Sequence, residues 1–439
     1  MDPVDQRGFD NQRSDYVGAA EAARLLGVKR ETLYAYASRG LVRSEPGQKG
    51  RGHRYSRSDL LRLRTRSDAR SGHGPVAAGA LRFGEPVLAT AISYIGADGP
   101  RYRGVPAVEL CRSASYERVA ELLWSGAPAA AAAWPGREAK GLVARLSREI
   151  PAGHPPLYTL LIATPRLALF DAARFASPKE TELVRARIMV RTLAALSALS
   201  FDPKRALRAA RAAGIAESVA VALGAPERAV PAVERALVLC ADHELNASTF
   251  AARVVASTGA DLYACVTAAL SAMTGPLHGG ASDRVEALVD EVFDPKRAFD
   301  VVTARTVRGE SIPGFGHRLY PEGDPRVAPL LEIAERVGRQ SRALRVALSI
   351  AAAMKRARRE PPNLDYGLVV LARALGLPKG AASALFALGR AAGWIAHALE
   401  QREAGYVLRP RAEYVGDEVG SDTRRTQSST TSPSGTSSV

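Results

Sequence analysis

The spacing of apolar residues between residues 80 and 416 constrains the fold of this chain more than any other feature. Ala, Leu and Arg dominate the stretch, apolar residues recur at helical spacing, and Gly or Pro residues separate the segments. This pattern predicts an all-α domain. The clearest predicted helices are Glu117–Trp124, Thr181–Leu199, Val230–Leu239, Ala251–Met273 and Gly380–Gln401. A short strand pair is predicted at Ala89–Ile95 and Arg101–Tyr102, because Gly96 and Gly99 favour a turn between them.

The chain has 439 residues, which is enough for more than one domain. Residues 16–66 form a compact helical pattern, and residues 67–79, which contain Gly and Pro, are predicted to be a flexible linker. The polar start, residues 1–15, and the Ser- and Thr-rich end, residues 417–439, are predicted to be disordered.

Cysteine usage and hydropathy indicate the compartment. Cys111, Cys240 and Cys265 are far apart and show no CxxC spacing, which argues against a disulfide framework or a zinc site. No run of about 18 uncharged apolar residues is present, and the N-terminus lacks the apolar core of a secretory signal. We therefore expect a cytoplasmic protein without a membrane-spanning helix and without a bound metal.

The N-terminal segment has the pattern of two short helices joined by a tight turn. Val17–Leu26 and Arg30–Ser38 are the predicted helices, Gly27 with Val28 forms the turn, and Gly40 suits a left-handed C-terminal cap. The second helix would expose Arg30, Tyr34 and Arg39, which could enter a major groove.

A basic hairpin is predicted at Lys49–Tyr55, where Arg51 and Arg54 could contact phosphates, and Ser56–Asp59 resembles a capping box for a third helix. Residues 16–70 hold 13 Lys or Arg against 5 Asp or Glu, a net charge of +8 within a chain total of +15. These residues together resemble the MerR-like winged-helix family, which implies binding to duplex DNA. Lys29 departs from the Ser or Thr that usually caps the second helix there, so that helix start is expected to be weaker. The alternative is a module kept for packing or protein contacts.

Three histidines lie in segments flanked by glycine or acidic residues. His243 lies in Ala241–Ser248, His278 in Gly275–Ala281, and His317 in Pro313–Tyr320. A fourth segment, Pro361–Gly367, places Asp365 just after a Pro-Pro-Asn turn. A lone histidine is more often structural than catalytic, but glycines beside a histidine let the backbone and a ligand approach closely.

In this order, the four segments resemble the citrate synthase family over residues 85–416. Further matching segments are Ile92–Tyr94, Tyr102–Gly104, Ser115–Leu123, Asp324–Arg326, Leu388–Arg390 and Leu408–Gly416. The resemblance implies the citrate synthase fold, with a large helical domain, a smaller one at about 278–375, and the site in the cleft between them. It also implies a homodimer with shared active sites.

The family's reaction explains these residue types. Removing a proton beside a thioester carbonyl needs a base and a hydrogen-bond donor for the developing oxyanion. The resemblance implies that Asp365 is the base, that His278 donates to the enolate oxygen, and that His317 protonates the ketone oxygen of oxaloacetate. Acetyl-CoA and oxaloacetate are the implied substrates. No cofactor is implied, since the coenzyme A thioester is itself a substrate.

Arginines are expected around oxaloacetate, because guanidinium binds carboxylate in a bidentate manner. The resemblance assigns oxaloacetate binding to His243, Arg326, Arg390 and Arg409, with Arg411 as an alternative to Arg409. It assigns the coenzyme A adenine to the loop Ile312, Pro313, Gly314, Phe315 and Gly316. Ser282 stands where the family usually has Asn, and because serine is shorter, a hydrogen bond near the catalytic loop is expected to be lost or mediated by water.

The leading hypothesis is citrate synthesis from acetyl-CoA and oxaloacetate. One alternative is 2-methylcitrate synthesis from propionyl-CoA, since one extra methylene changes binding by only about 1–3 kcal/mol. The other is a DNA-binding regulator whose synthase-like domain senses metabolites. Retention of all three histidines and Asp365 favours an enzyme.

Overall fold

The computed structural model describes residues 16–46, 52–57, 59–60, 63, 88–96, 98–127, 134–175, 178–338, 341–410 and 412. The chain divides into two compact units, one of residues 1–89 with 410–439 and one of residues 90–409. The described residues are mostly helical, which confirms the predicted fold class. The ends predicted to be disordered, residues 1–15 and 417–439, and the predicted linker, residues 67–79, lie outside the described residues.

The N-terminal unit combines two helices with a small antiparallel sheet. Its elements are β1 (Tyr16–Gly18), α1 (Ala19–Leu26), α2 (Arg30–Ser38), β2 (Ser44–Pro46) and β3 (His53–Ser56). Strand β3 is central, with β1 and β2 on either side of it. Leu33, Val42, Tyr55 and Leu60 are buried between the helices and the sheet. Strands β2 and β3 pair in antiparallel fashion. The hairpin predicted at Lys49–Tyr55 overlaps only β3 among the described strands, and residues 47–51 lie outside the described part.

The first helix is shorter than predicted, because Tyr16–Gly18 forms a strand and Val17 pairs with Tyr55. The second helix has the predicted bounds, and Gly40 takes the left-handed conformation at φ 71°. Lys29 has the extended backbone of an N-cap residue but makes no side-chain cap bond, in agreement with the expected weak helix start.

The C-terminal unit begins with a three-stranded antiparallel sheet of β4 (Ser93–Gly96), β5 (Gly99–Tyr102) and β6 (Val105–Pro106). The first strand starts four residues later than predicted, and β6 was not expected. Short 3₁₀ turns cover Ser197–Ser200, Pro203–Arg205, Glu227–Ala229 and Pro295–Arg297. The α-helices follow as α3 (Ala107–Ser113), α4 (Tyr116–Ser125), α5 (Gly136–Glu149), α6 (Pro156–Ala168), α7 (Lys179–Leu196), α8 (Ala206–Ala209), α9 (Ile215–Leu223), α10 (Val230–Cys240), α11 (Ala247–Ser257), α12 (Leu262–Met273), α13 (Ala281–Val292), α14 (Ala298–Val307), α15 (Val327–Val337), α16 (Arg342–Arg356), α17 (Leu364–Ala374) and α18 (Ala381–Ala404).

The predicted single helix Ala251–Met273 is wrong, because two helices, α11 and α12, share this segment. Gly259 has φ +80°, which ends α11, and the side chain of Asp261 accepts a hydrogen bond from the backbone N–H of Ala264 to start α12. A glycine in the left-handed region followed by an acidic N-cap is a stop and a start signal that apolar periodicity alone hides.

Helix α18 is buried along nearly its whole length and lies at the centre of the unit. It packs against α10, α11, α12 and α17. Helices α13, α15 and α16 in turn pack around α17, within the range predicted for the smaller domain. A helix that is buried on every side belongs in a core, and here it supports the segments that carry the candidate site residues.

Candidate active site

Tyr320 is the point at which three of the predicted site residues meet. His243 is buried, and its Nε2 lies 2.8 Å from the hydroxyl oxygen of Tyr320. The ring of His317 lies 4.8 Å from the Tyr320 ring and 5.4 Å from the His243 ring, measured between centroids. The guanidinium of Arg326 lies 5.6 Å from the centroid of the Tyr320 ring. Tyr320 ends the predicted segment Pro313–Tyr320, and its sequence context predicts no role for it.

Arg326 is held by a buried carboxylate. Its Nε donates to Asp324 Oδ1 at 2.9 Å and its Nη2 to Asp324 Oδ2 at 2.7 Å, a bidentate pair. Asp324 Oδ2 also accepts the backbone N–H of Leu364 at 3.2 Å. Since Leu364 precedes Asp365, this carboxylate joins the proposed oxaloacetate-binding arginine to the segment of the proposed base.

Asp365 lies in the first turn of α17, which Asn363 caps by accepting the N–H of Tyr366. The hydroxyl of Ser282 donates to Asp365 Oδ1 at 2.7 Å. The shorter serine therefore makes a direct hydrogen bond here, contrary to the expectation. Burial raises the pKa of Asp365 above its usual value, and the Ser282 bond opposes that rise.

His278 lies four residues before Ser282, in the loop that leads into α13. Its Nε2 is 2.8 Å from the hydroxyl of the buried Ser248, and Ser248 also accepts a hydrogen bond from the indole N–H of Trp394 at 3.1 Å. The loop passes close to the end of α12, since a Cβ at Gly279 would collide with the carbonyl oxygen of Met273. Glycine is therefore required beside this histidine.

Phe386 of α18 links His278 to the second predicted arginine. The rings of His278 and Phe386 lie edge to face, 6.2 Å apart, and the Arg390 guanidinium lies 4.8 Å from the centroid of the Phe386 ring. Arg390 is buried and donates from Nε to the carbonyl oxygen of Cys240 at 2.6 Å. Cys240 closes α10, three residues before His243, so this bond ties Arg390 to the His243 segment.

The loop Ile312–Gly316 runs beside the Asp365 segment. Asn363 donates its backbone N–H to the carbonyl of Gly314 at 2.9 Å, and Gly316 donates its N–H to the carbonyl of Pro361 at 2.8 Å. Phe315 packs on Tyr366 with ring centroids 4.7 Å apart. The loop predicted to bind coenzyme A is thus hydrogen-bonded to the segment that carries the proposed base; its residues are Ile312, Pro313, Gly314, Phe315 and Gly316.

Burial favours the neutral form of all three histidines. Burial lowers the pKa of His278 to about 4 and that of His243 well below its usual value, and in both cases arginine charges add to the effect. Burial and Arg326 also lower the pKa of His317. His317 Nδ1 accepts the N–H of Leu319 at 3.2 Å, so the proton of its neutral ring lies on Nε2, which can donate.

The remaining predicted residues belong to other segments of the chain. Arg409 is exposed in the extended segment after α18, and Arg411 and Arg51 lie outside the described residues. In the N-terminal unit, Arg30, Tyr34 and Arg39 are exposed on or beside α2, as predicted. Arg54 instead donates to the carbonyl of Tyr16 at 2.6 Å and lies 3.5 Å from Glu45, so its guanidinium is engaged within the unit.

Sequence reasoning missed the residues that hold the predicted ones in place. They are Ser248, Tyr320, Asp324, Phe386 and Trp394, and all five are buried. Ser248, Tyr320 and Asp324 lie at the ends of the segments Ala241–Ser248, Pro313–Tyr320 and Asp324–Arg326, so their position in these segments is the feature of the sequence that points to them. Among the described residues, no group of His, Cys, Asp and Glu side chains is arranged to hold a metal ion, and no helix has the length and hydropathy to cross a membrane.

Comparison with known proteins follows the same division of the chain. The profile described as "Citrate synthase, C-terminal domain" matches residues 82–411, and the one described as "Helix-turn-helix domain" matches residues 16–67. "Citrate synthase 2" of Bacillus subtilis is 39% identical over 46% of this chain, but the match spans only 56% of that relative. "2-methylcitrate synthase" of Mycobacterium tuberculosis is 35% identical over 72% of this chain and 84% of the relative. "Citrate synthase" of Mycolicibacterium smegmatis is 32% identical over 72% and 88%.

Solved structures share the fold. The ternary complex of citrate synthase from Thermoplasma acidophilum with carboxymethyl coenzyme A and oxaloacetate has a TM-score of 0.66 and 28% identity, covering 78% of this chain and 96% of that one. Citrate synthase from Thermotoga maritima has a TM-score of 0.64 and 27% identity, covering 76% and 94%. The helical C-terminal unit therefore has the citrate synthase fold. The chain belongs to the citrate synthase family and carries an N-terminal helix-turn-helix domain.

Proposed function

We propose that this chain catalyses a citrate synthase-type condensation of acetyl-CoA with oxaloacetate. The observation that carries the proposal is the convergence of the predicted residues. Asp365 is bound to Ser282, four residues after His278, and Asp324 links the Asp365 segment to Arg326 near His243 and His317. A base, two neutral donors and buried arginines are the groups that this reaction needs.

In the proposed mechanism, the Asp365 carboxylate takes a proton from the methyl carbon of acetyl-CoA. The C–H electron pair forms an enolate, whose oxygen accepts a hydrogen bond from His278. The enolate carbon attacks the ketone carbon of oxaloacetate, and the ketone oxygen takes a proton from His317 as the C=O pair moves onto it. Water then attacks the thioester carbonyl of citryl-CoA, and its proton passes to the deprotonated His317 ring. The C–S bond breaks to release citrate, and the sulfur of the departing coenzyme A takes the proton held by Asp365, so both residues return to their starting forms. The steps use this chain's own residues, and no cofactor is required.

Substrate binding in this proposal rests on charge and on symmetry. Arg326 and Arg390 are buried cations that would each bind a carboxylate of oxaloacetate. Arg409 is exposed and would reach the site of a second copy, so we propose a homodimer related by a twofold axis. Cys111, Cys240 and Cys265 are free and buried, which suits the reducing cytoplasm in which we place the protein.

Propionyl-CoA is the second candidate acyl donor, which would make the product 2-methylcitrate. The relative of that name from Mycobacterium tuberculosis matches a larger share of this chain than the Bacillus subtilis relative does. One extra methylene gives discrimination of only about 10- to 200-fold. The choice between the two donors therefore needs a direct measurement.

A thiol-release assay with oxaloacetate tests both candidates. We expect release of free coenzyme A from acetyl-CoA that depends on oxaloacetate, with a kcat/KM about 10-fold or more above that for propionyl-CoA. A higher kcat/KM for propionyl-CoA would make the second candidate correct. Absence of release from both thioesters would refute the enzymatic proposal and favour a metabolite-sensing regulator.

We also propose that the N-terminal unit binds duplex DNA. The support is the helix-turn-helix match together with the exposed Arg30, Tyr34 and Arg39 on or beside α2. Fluorescence anisotropy of the full chain with a pool of duplex fragments at low salt should show binding that weakens steeply as salt rises. Arg39→Ala should weaken it, whereas Arg148→Ala, at an exposed position of α5, should not. If the full chain binds no fragment, a protein-contact role replaces this proposal.

A further inference from the structure

We infer that Ser282 is a positioning residue for Asp365, holding its carboxylate by a direct hydrogen bond in the orientation that takes the proton. The inference deepens the proposed function and rests on it. Ser282 is the residue at which this chain departs from the family's usual Asn. The structure explains that departure, because the shorter side chain contacts the proposed base directly.

The contact joins two elements that carry different parts of the proposed chemistry. Ser282 is only 1% exposed in the first turn of α13, and Asp365 lies in the first turn of α17. The hydroxyl donates to Oδ1 at 2.7 Å, and within the described part of the chain Oδ2 makes no hydrogen bond. One carboxylate oxygen is therefore anchored while the other remains available for the proton of the substrate.

Ser282 also couples the base to the donor for the enolate. His278 lies four residues earlier, and the loop between them is fixed at Gly279 by its close approach to Met273. A shift of α13 would therefore move the His278 loop and the Ser282 hydroxyl together. The base and the donor for the enolate oxygen would then keep their relative positions, which a near-attack geometry requires.

The hydrogen bond favours the ionised form of the base. A serine hydroxyl that donates to a carboxylate stabilises the anion more than the neutral acid, and this opposes the burial that raises the pKa of Asp365. The other charged or titratable groups that face Asp365 are Arg326 and Asp324, from the segment before α15, Arg390 of α18 and Cys240 of α10. A change at Ser282 leaves all four in place.

The test compares Ser282→Ala with Ser383→Ala in the full chain. Ser383 is a matched control, since its hydroxyl donates to Asp283 Oδ1 at 2.7 Å and its side chain is 2% exposed, on α18. We measure kcat and KM from pH 5 to pH 9 in the thiol-release assay, together with solvent deuterium incorporation at the carbon next to the thioester. Ser282→Thr keeps the hydroxyl and serves as the conservative variant.

We expect the acid limb of kcat/KM for the thioester to move upward by about one pH unit in Ser282→Ala. The loss of kcat and of deuterium incorporation should approach tenfold on the acid limb and be smaller at pH 9, while the KM for oxaloacetate stays within about twofold. Ser383→Ala should keep the wild-type pH profile, and Ser282→Thr should restore it. These results would support the inference.

A loss in Ser282→Ala that is equal at every pH, or an unchanged acid limb, would overturn the inference and leave Ser282 as a packing residue. A wild-type chain that releases no thiol at any pH would instead refute the proposed function, and the inference would fall with it. The first failure appears only in the variant and the second already in the wild type, so the two are distinguishable.

Discussion

Replacing Arg326 by glutamine removes the cation of a buried ion pair, and we expect it to lower both stability and oxaloacetate affinity. Arg326 is 3% exposed and Asp324 is 5% exposed, so water cannot replace the lost partner. Removing one member of a buried pair typically costs about 3–5 kcal/mol. Asp324 keeps two backbone donors, Leu364 at 3.2 Å and Arg326 itself at 3.1 Å, which favours the lower end of that range.

The stability loss should depend on pH. Burial raises the pKa of Asp324, but the charge and the hydrogen bonds of Arg326, together with His317, bring it below its usual value. Such a group contributes stability that is present above its unfolded pKa and is lost as pH falls through its folded pKa. The difference between wild type and Arg326→Gln should therefore be largest near neutral pH and should shrink below about pH 4.

The effect on binding should be selective. A carboxylate of oxaloacetate that loses one buried guanidinium loses about 2–5 kcal/mol, a roughly 30- to 5,000-fold weaker affinity, whereas acyl-CoA affinity should change little. Calorimetric titration measures both affinities, and denaturant unfolding between pH 3 and pH 8 measures stability. A double-mutant cycle with Asp324→Asn should give a coupling energy of about 1–3 kcal/mol.

Arg336→Gln is the control for this experiment, because Arg336 pairs with Glu332 one helical turn away and both side chains are exposed. Its effect on stability should stay within about 0.5 kcal/mol. Equal losses of oxaloacetate and acyl-CoA affinity in Arg326→Gln would show that Arg326 is a structural residue. A coupling energy near zero would show that the bidentate pair adds nothing to the fold.

Three further predictions concern single positions. Asp365→Asn should lower turnover by about 10²–10⁴-fold while calorimetry still detects oxaloacetate binding, and a variant that keeps a tenth of wild-type turnover would exclude Asp365 as the base. Gly314→Ala should destabilise the chain and raise the KM for the thioester, because Gly314 has φ +86° and a Cβ there would lie 2.7 Å from Val285 Cγ2. Gly309→Ala is the control, because Gly309 has φ +71° with open space around it, so the substitution there has only the backbone cost. An equal loss of stability in both variants would contradict the packing argument. Lys29→Ser should stabilise the N-terminal unit by about 1 kcal/mol, since Lys29 already has the extended backbone of an N-cap; an unchanged unfolding transition would refute this.

The sequence alone determined the helical class of the C-terminal unit and the type of most of its elements. Helical periodicity is a local property, so the ends of the helices Val230–Cys240 and Ala381–Ala404 could be predicted to within three residues. The break between α11 and α12 escaped that reading, because Ala-rich residues on both sides keep the apolar pattern continuous through Gly259. The strand at Tyr16–Gly18 escaped it too, since its partner β3 lies almost forty residues further along the chain.

The candidate site divides in the same way. His243, His278, His317 and Asp365 could be selected from the sequence, because glycine, proline and acidic neighbours mark their segments. Only the tertiary structure decided which groups hold them, such as Tyr320 at His243, Ser248 at His278 and Ser282 at Asp365. These contacts join residues 30 to 83 positions apart. A hydrogen bond forms only when the donor and acceptor atoms lie within a few tenths of an ångström of their optimal distance. Helix packing sets that distance, while spacing along the chain does not.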